Sequence, residues 1–344
     1  MPIDYVDGFD RYAASGDLAF TSRWVAALNT NNLATLVAGR FGARAIQLQS
    51  AINSGFIERL ATSNLKYGMQ CAFIANLANM SANNMGLARW LNSSGGTIAT
   101  WGVSPAGEIF VQNGAGTQLF RSDGFRVPNN AWTYIEMHVE VSTTAGRIVL
   151  KINGEQIWEG TNLNLGSSPV HRIRFIMDED GSQASFFHRY TIDDVITAYG
   201  ESETPGESAA LLLLPSADVS AQFTPSAGAS NFATVDEQQA NSDTDYNSST
   251  TIGHEDVFDF TNITTTPDEV KAVFVSIAAR KTDSATREME LFFEIGGVDY
   301  TITTFFLGGS YQFFERVVET NPATSLPWTI GDINALRIGY RILQ

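Results

Sequence analysis

Apolar and polar residues alternate with a period of two along most of this chain. In "WTYIEMHVEV", Trp132 to Val141, the apolar set Ile135, Met137, Val139 and Val141 interleaves with Trp132, Tyr134, Glu136, His138 and Glu140. That spacing predicts a strand with one apolar and one polar face. "RIVLKINGEQIWEG", Arg147 to Gly160, holds two such runs joined by Asn153-Gly154. Asn and Gly tolerate the positive φ that both central positions of a type I′ turn require, so the pair predicts a two-residue hairpin. With Ile152 opposite Glu155, strict alternation places Ile148, Leu150, Ile152 and Ile157 on one face and Val149, Lys151, Gln156 and Trp158 on the other. "HRIRFIM" (171–177) and "YTIDDVITAY" (190–199) continue the pattern. Downstream, "EVKAVFVSIAAR" sets Val273, Val275 and Ile277 on one face. "REMELFFEI", "VDYTITTFF", "YQFFERVVE" and "ALRIGYRIL" then follow in the rhythm of an antiparallel sandwich. Only "GDLAFTSRWVAALNT" (16–30) and "ANLANMSANN" (75–84) break it in the first module, and "WTIGDINAL" (328–336) predicts one short turn of helix.

Composition adds organisation. At 344 residues and 44% hydrophobic the chain can bury two cores, given roughly 150 residues per domain. Charge divides unevenly: residues 1–200 hold 14 Lys+Arg against 16 Asp+Glu, a net of -2, and residues 201–344 hold 7 against 21, a net of -14. "GESETPGES", Gly200 to Ser208, has the Gly, Pro, Ser and carboxylate content of a linker. The expected division is a domain at 1–200, a linker at 201–208 and a second module at 209–344. The acidic second half repels phosphate backbones, so no nucleic-acid partner is expected, and no run approaches the ~20 apolar residues of a membrane span. The N-terminus lacks a basic and apolar leader, which predicts synthesis in the cytoplasm. The single cysteine, Cys71, predicts a buried thiol rather than a disulfide.

Candidate chemistry is sparse. Glu136, His138 and Glu140 share one face of a predicted strand, and jelly-roll glycosidases of the laminarinase type carry spaced acids on a strand. The likeness is partial: the expected central Asp is His138 here, and Glu136 and Glu140 stand about 13 Å apart on a regular strand, beyond the ~5–9.5 Å that glycosidase carboxyls use. The solvated outer face of a strand is the preferred reading. His138, His171, His188 and His254 show no metal-binding spacing, there is no Gly-x-Ser-x-Gly elbow, and the glycines of "GGSY" and "IGGVDY" sit between strands, where they serve turns. Asp178 and Asp180 of "DEDG", Asp193-Asp194 and "SDTDYN" (242–247) are the oxygen clusters a rim calcium could use, but none has the EF-hand spacing. A solvated acidic loop is the preferred reading, and no cofactor is required. Core packing is the preferred reading of most aromatics; Trp90 and Trp101, bracketing "LNSSGGTIAT", and Trp158 are those that, where exposed, could stack on a sugar ring or a neighbouring subunit.

The order "DGFDRY", "GRFGARAIQL", "WTYIEMHVEV", "GRIVLKINGEQI" and "YTIDDVI" resembles the concanavalin A-like, laminin-G-like jelly-roll domain of tailed-bacteriophage virion proteins. "LLLPSADVSAQF", "DVFDFTNI", "AVFVSIAARKTDSATREM" and "ETNPATSLPWTIGDINALRIGY" are similar to the β-rich module that follows it in phage structural genes. The acidic "MDEDGSQASFFHR" stretch departs from that pattern, since a short glycine-rich turn is expected before "YTIDD". The resemblance implies an all-β protein, a jelly-roll sandwich followed by a second, smaller antiparallel sandwich. It also implies a non-enzymatic tail-associated virion protein that adheres to host glycan or to neighbouring virion subunits. The alternatives are a head decoration protein and a glycan-cleaving virion enzyme. By the same analogy it is a homo-oligomer, a trimer, displayed on the virion surface.

Overall fold

The computed structural model describes residues 2–12, 24, 34–41, 44–49, 56–80, 84–179, 189–200, 204–238, 241 and 243–344. The chain forms two units, Met1–Leu211 and Leu212–Gln344. The expected boundary at residue 200 is therefore corrected: the segment from Thr204 to Leu211 belongs with the first unit, because side-chain hydrogen bonds described below tie it there.

The first unit contains β1 (Ile3–Asp7), β2 (Ala34–Ala38), β3 (Arg44–Gln49), β4 (Phe56–Asn64), β5 (Lys66–Ala75), β6 (Met85–Leu91) and β7 (Thr97–Val103). It continues with β8 (Ile109–Asn113), β9 (Gln118–Arg121), β10 (Thr133–Glu140), β11 (Gly146–Ile152), β12 (Glu155–Leu163), β13 (Val170–Glu179) and β14 (Arg189–Tyr199). They build two antiparallel sheets, the larger in the order β12-β11-β10-β5-β14-β3-β2 with β1 also on β14, the smaller β4-β13-β6-β7-β8-β9. This is a jelly-roll sandwich. Aromatic side chains bridge its layers: Phe73 of β5 meets Trp101 of β7 edge-on at 5.2 Å between ring centroids, and the Tyr190 hydroxyl of β14 donates to the Leu87 carbonyl of β6 at 2.8 Å. Cys71 is buried in the same layer, as predicted, and burial pushes its thiol far up.

Asn153 and Gly154 take φ of 51° and 80°, the predicted turn, and the Asn153 side chain also accepts the Tyr134 amide at 2.8 Å. The faces beyond the turn differ from strict alternation. Lys151 pairs with Gln156, but a bulge sets Leu150 opposite Trp158, so Trp158 joins the Leu150 face and stacks on Phe120 of β9 at 5.0 Å. One extra residue reverses every side chain that follows it.

Near the N-terminus Asp7 is buried without being unpaired. Its carboxylate accepts from the hydroxyls of Tyr5 and Tyr12 at 2.6 Å, from Trp24 Nε1 at 2.9 Å, from Arg11 at 3.2 Å and from the Phe9 amide at 2.9 Å. Burial alone would raise its pKa. The Arg11 guanidinium and the donated hydrogen bonds of Tyr12, Tyr5 and Trp24 outweigh burial and hold it below the usual carboxylate range. Trp24 in turn touches Tyr5 and, across the sandwich, Phe175 of β13 at 6.1 Å.

The second unit holds β15 (Pro215–Ala221), β16 (Thr224–Pro225), β17 (Asn247–Ser248), β18 (Glu255–Phe260), β19 (Val273–Ala279), β20 (Glu288–Ile295), β21 (Val298–Phe306), β22 (Gln312–Val318) and β23 (Arg337–Ile342). A five-stranded sheet, β15-β18-β23-β20-β21, packs with the β19-β22 pair on a core of Phe293, Phe305, Met289, Leu291, Trp328 and Ile333. Val273, Val275 and Ile277 face that core as the alternation predicts. The predicted short helix is α1 (Ile330–Asn334), started by a reciprocal Thr329–Asp332 cap. The stretch at 16–30 lies outside the described residues except Trp24, while 75–84 contains a single 3-10 turn at Leu77–Asn79.

Two outcomes follow. Asp7→Ala is expected to lower stability by about 3–5 kcal/mol, because it strands the donors that converge there. Since the folded pKa of Asp7 is depressed, its stabilisation is present above the unfolded value near 3.8 and lost as pH falls through the folded one, so urea unfolding of the wild type should weaken below about pH 4 and that of the variant should weaken less steeply there. Asn153→Ala should cost about 1–2 kcal/mol in the same assay, from the left-handed backbone and the lost bond to Tyr134.

Candidate functional site

The outer face of the large sheet concentrates polar side chains. In register, Glu136 of β10 lies opposite Gln70 of β5 and Lys151 of β11; His138 lies opposite Gly68 and Val149; Glu140 lies opposite Lys66 and Arg147. Tyr134 occupies the same face one step along, and Asp193 of β14 pairs with Ala72 beside it. Alternation therefore brings Glu136, His138 and Glu140 to one face, as the sequence indicates, but the expectation of a solvated face is corrected. Gln70 is wholly buried and Glu136 and His138 are each 1% exposed.

Residues 204–210 supply part of that cover. The Thr204 hydroxyl donates to Glu136 Oε2, and Gln70 Nε2 donates to the Gly206 carbonyl at 2.7 Å and reaches Ser208 Oγ at 3.4 Å. The Ala210 amide donates to Asp194 Oδ1 at 2.9 Å, and Glu207 pairs with Arg40. Arg40 lies over the Tyr134 ring at 5.4 Å and near Asp194 Oδ2 at 3.6 Å.

Satisfaction of these groups is incomplete. Glu136 Oε1, Gln70 Oε1 and both ring nitrogens of His138 are buried with no hydrogen-bond partner. His138 Nε2 stands 3.9 Å from Glu140, beyond hydrogen-bond reach. Burial lowers the His138 pKa to about 4 despite the opposing charge of Glu140, so the imidazole is neutral at neutral pH. Glu140 is committed elsewhere, to Lys66 at 3.2 Å and Arg147 at 3.0 Å, and Arg147 also holds Glu159. Glu136 and His138 stand two positions apart on one strand, a backbone spacing of roughly 6.6–6.8 Å.

Asp193 and Asp194 mark a bulge in β14. Asp193 accepts the amides of Arg40 and Asp194, each at 2.8 Å. Burial and the adjacent Asp194 charge push Asp193 up to about 7, and burial pushes Asp194 up to about 6 against the bonds from Ala210 and Arg40.

The remaining predicted residues fall elsewhere. Trp90 and Trp101 are fully buried in the smaller sheet, which corrects their reading as sugar-stacking residues: both rings fill the core between the layers. Trp158 is half-buried against Phe120. Asp178 lies on β13 of the smaller sheet and Asp193 on β14 of the larger, while Asp180 and most of the acidic stretch before "YTIDD" lie outside the described residues. Among the described residues no three His, Cys, Asp or Glu side chains form a group that could hold a metal. Both oxygens of Asp193 accept backbone amides. What sequence reading missed is Gln70 and the covering segment; Gln70 becomes visible only once β5 is registered against β10.

No protein-family model and no curated protein matches the chain. Among solved structures it is similar to an endo-β-1,4-glucuronan lyase from the fungus Trichoderma reesei, with 11% identity, 52% of this chain and 91% of that one covered, and a TM-score of 0.40. It is also similar to the catalytic domain of a glycoside hydrolase family 131 protein from Coprinopsis cinerea (12% identity, 61% and 100% covered, TM-score 0.38). A third is the binding domain of Paraclostridial Mosquitocidal Protein 1 (15% identity, 52% and 45% covered, TM-score 0.37). At such identities the likeness speaks to the fold. The similar structures at hand are mainly polysaccharide lyases and glycoside hydrolases, so the expectation of a non-enzymatic virion structural protein draws no support from them, and the strand face expected to be solvated is buried.

The aspartate pair makes a pH prediction. A carboxyl whose folded pKa is raised destabilises the fold increasingly as pH climbs from its unfolded value near 4 toward the folded one. His138, whose folded pKa is lowered, acts oppositely, adding stability above its unfolded value near 6.5 and losing it as pH falls toward 4. Asp194→Asn should therefore gain melting temperature relative to wild type between pH 4 and 7, measured by calorimetry, with His138 common to both proteins.

Proposed function

We propose that the jelly-roll unit is a glycan-cleaving module whose working groups are Glu136 and His138 on the outer face of the large sheet. The observation that supports this reading is the set of buried, unpartnered atoms at Glu136 Oε1, Gln70 Oε1 and both His138 nitrogens. Each costs free energy in the folded state and satisfies nothing within it. Polar capacity held open on the broad face of a sandwich suits a ligand rich in hydroxyls, lying across the strands. A neutral imidazole can withdraw a proton, and a carboxyl stands two positions away on the same strand face. Gln70 is placed to hold a sugar hydroxyl between them, and Tyr134 extends the face. The glycan-cleaving neighbours are consistent with this chemistry.

The test is release of reducing ends by the purified full-length chain from a panel that includes a polyuronate and a neutral β-glucan. Glu136→Gln and His138→Ala should each lower the rate by ~10²–10⁴-fold while leaving the melting temperature within a few degrees. No reducing-end formation from any glycan, either by this chain or by variants in which residues 204–210 are loosened, removes the reading.

A further inference from the structure

The segment from Thr204 to Ala210 connects the last strand of the jelly roll to the second unit, yet it is seated on the polar face as a ligand would be. Its described ties to the sheet are side-chain ones: Thr204 on Glu136, the Gly206 carbonyl on Gln70, the Ala210 amide on Asp194, and Glu207 on Arg40. None of residues 204–210 belongs to a strand of either sheet. A strand adding to an edge would gain a row of backbone bonds; this segment gains a few polar contacts, three of them to the residues assigned above to the site or beside it. The segment offers the face a hydroxyl, a carbonyl and an amide in sequence. It leaves Glu136 Oε1, Gln70 Oε1 and His138 unsatisfied, as an imperfect substitute would. At its far end it runs close over the N-terminal loop: a Cβ at Gly8 would lie 2.9 Å from the Ala210 carbonyl oxygen.

We infer that residues 204–210 are an autoinhibitory strap, occupying the glycan site of the jelly roll through Glu136, Gln70 and Asp194, and that the strap must lift for a polysaccharide to enter. The inference rests on the proposed glycan site. The strap competes with ligand for the same donors and acceptors, so loosening it raises ligand access without adding any new contact. Its release depends on groups other than the proton-handling pair itself, namely Gly8, Arg40 and the strap's own side chains.

Two variants of the full chain loosen it differently. Thr204→Ala with Ser208→Ala removes side-chain contacts, and Gly8→Ala presses on the Ala210 backbone; neither alters a side chain of the sheet face. Access is read by diethylpyrocarbonate modification of His138, mapped by mass spectrometry with the other histidines as internal references, and activity by reducing-end release from alginate and from a β-glucan. In the wild type His138 should be protected. Both variants should label it at least fivefold faster and release reducing ends at least tenfold faster, with the circular dichroism spectrum unchanged. If His138 labels as slowly in the variants as in the wild type, or if the wild type is already labelled and active to the same degree, the strap is overturned, and the glycan site survives where reducing ends are released. Faster labelling with no cleavage by any form overturns the glycan site, and the strap with it.

Discussion

Between Asp193 and Ile196 strand β14 advances three residues while β5 advances only two, from Ala72 to Gln70, and Asp194 accommodates the extra step at a φ of 50°. That bulge organises the large sheet. Before it, the outer edge of β14 pairs with β3; after it, the same edge pairs with β1. It also turns two consecutive carboxylates toward backbone amides, so that Asp193 fixes the loop at Arg40 and Asp194 fixes the chain at Ala210. Three distant parts of the sequence are held by one irregularity.

Burial of carboxylates recurs as the means of joining segments that no ladder connects. Asp7 gathers two tyrosines, a tryptophan and an arginine around the N-terminal turn. Glu58 joins Arg172 and Arg174 on the smaller sheet. In the second unit Asp256 accepts the amides of Gln222 and Phe223, the Asn231 side chain and the Tyr340 hydroxyl. These three have full sets of donors and act as pins. Glu136 differs because it keeps an oxygen without a hydrogen bond and lies beside a histidine in the same condition. The contrast between satisfied pins and unsatisfied neighbours separates structural acids from the candidate working pair.

Much of this was legible in advance. The alternation of Ile135, Met137 and Val139 against Tyr134, Glu136 and His138 fixed β10 and its faces, because a pleated strand converts a period of two directly into sidedness. Asn153-Gly154 fixed the hairpin, because few residues accept its backbone angles. The helix at 330–334 was readable from its capping residues. The position of Trp158 was not, since a bulge leaves no mark in the hydrophobic pattern ahead of it. Nor could the burial of Trp90 and Trp101 be told from their neighbours, because both faces of β6 and β7 are largely covered.

By itself, then, the sequence determined strands, turns and the two-module plan, all of which depend on residues near one another along the chain. Only the tertiary structure decided that Gln70 would stand beside Glu136, that Asp194 would grip Ala210, and that a stretch with linker composition would lie over the polar face. Those outcomes depend on register between strands more than 60 residues apart and on which donors remain after the ladders are filled. A hydrogen bond across a sheet has no counterpart in the local pattern, and the candidate site is made of such bonds and of their absence.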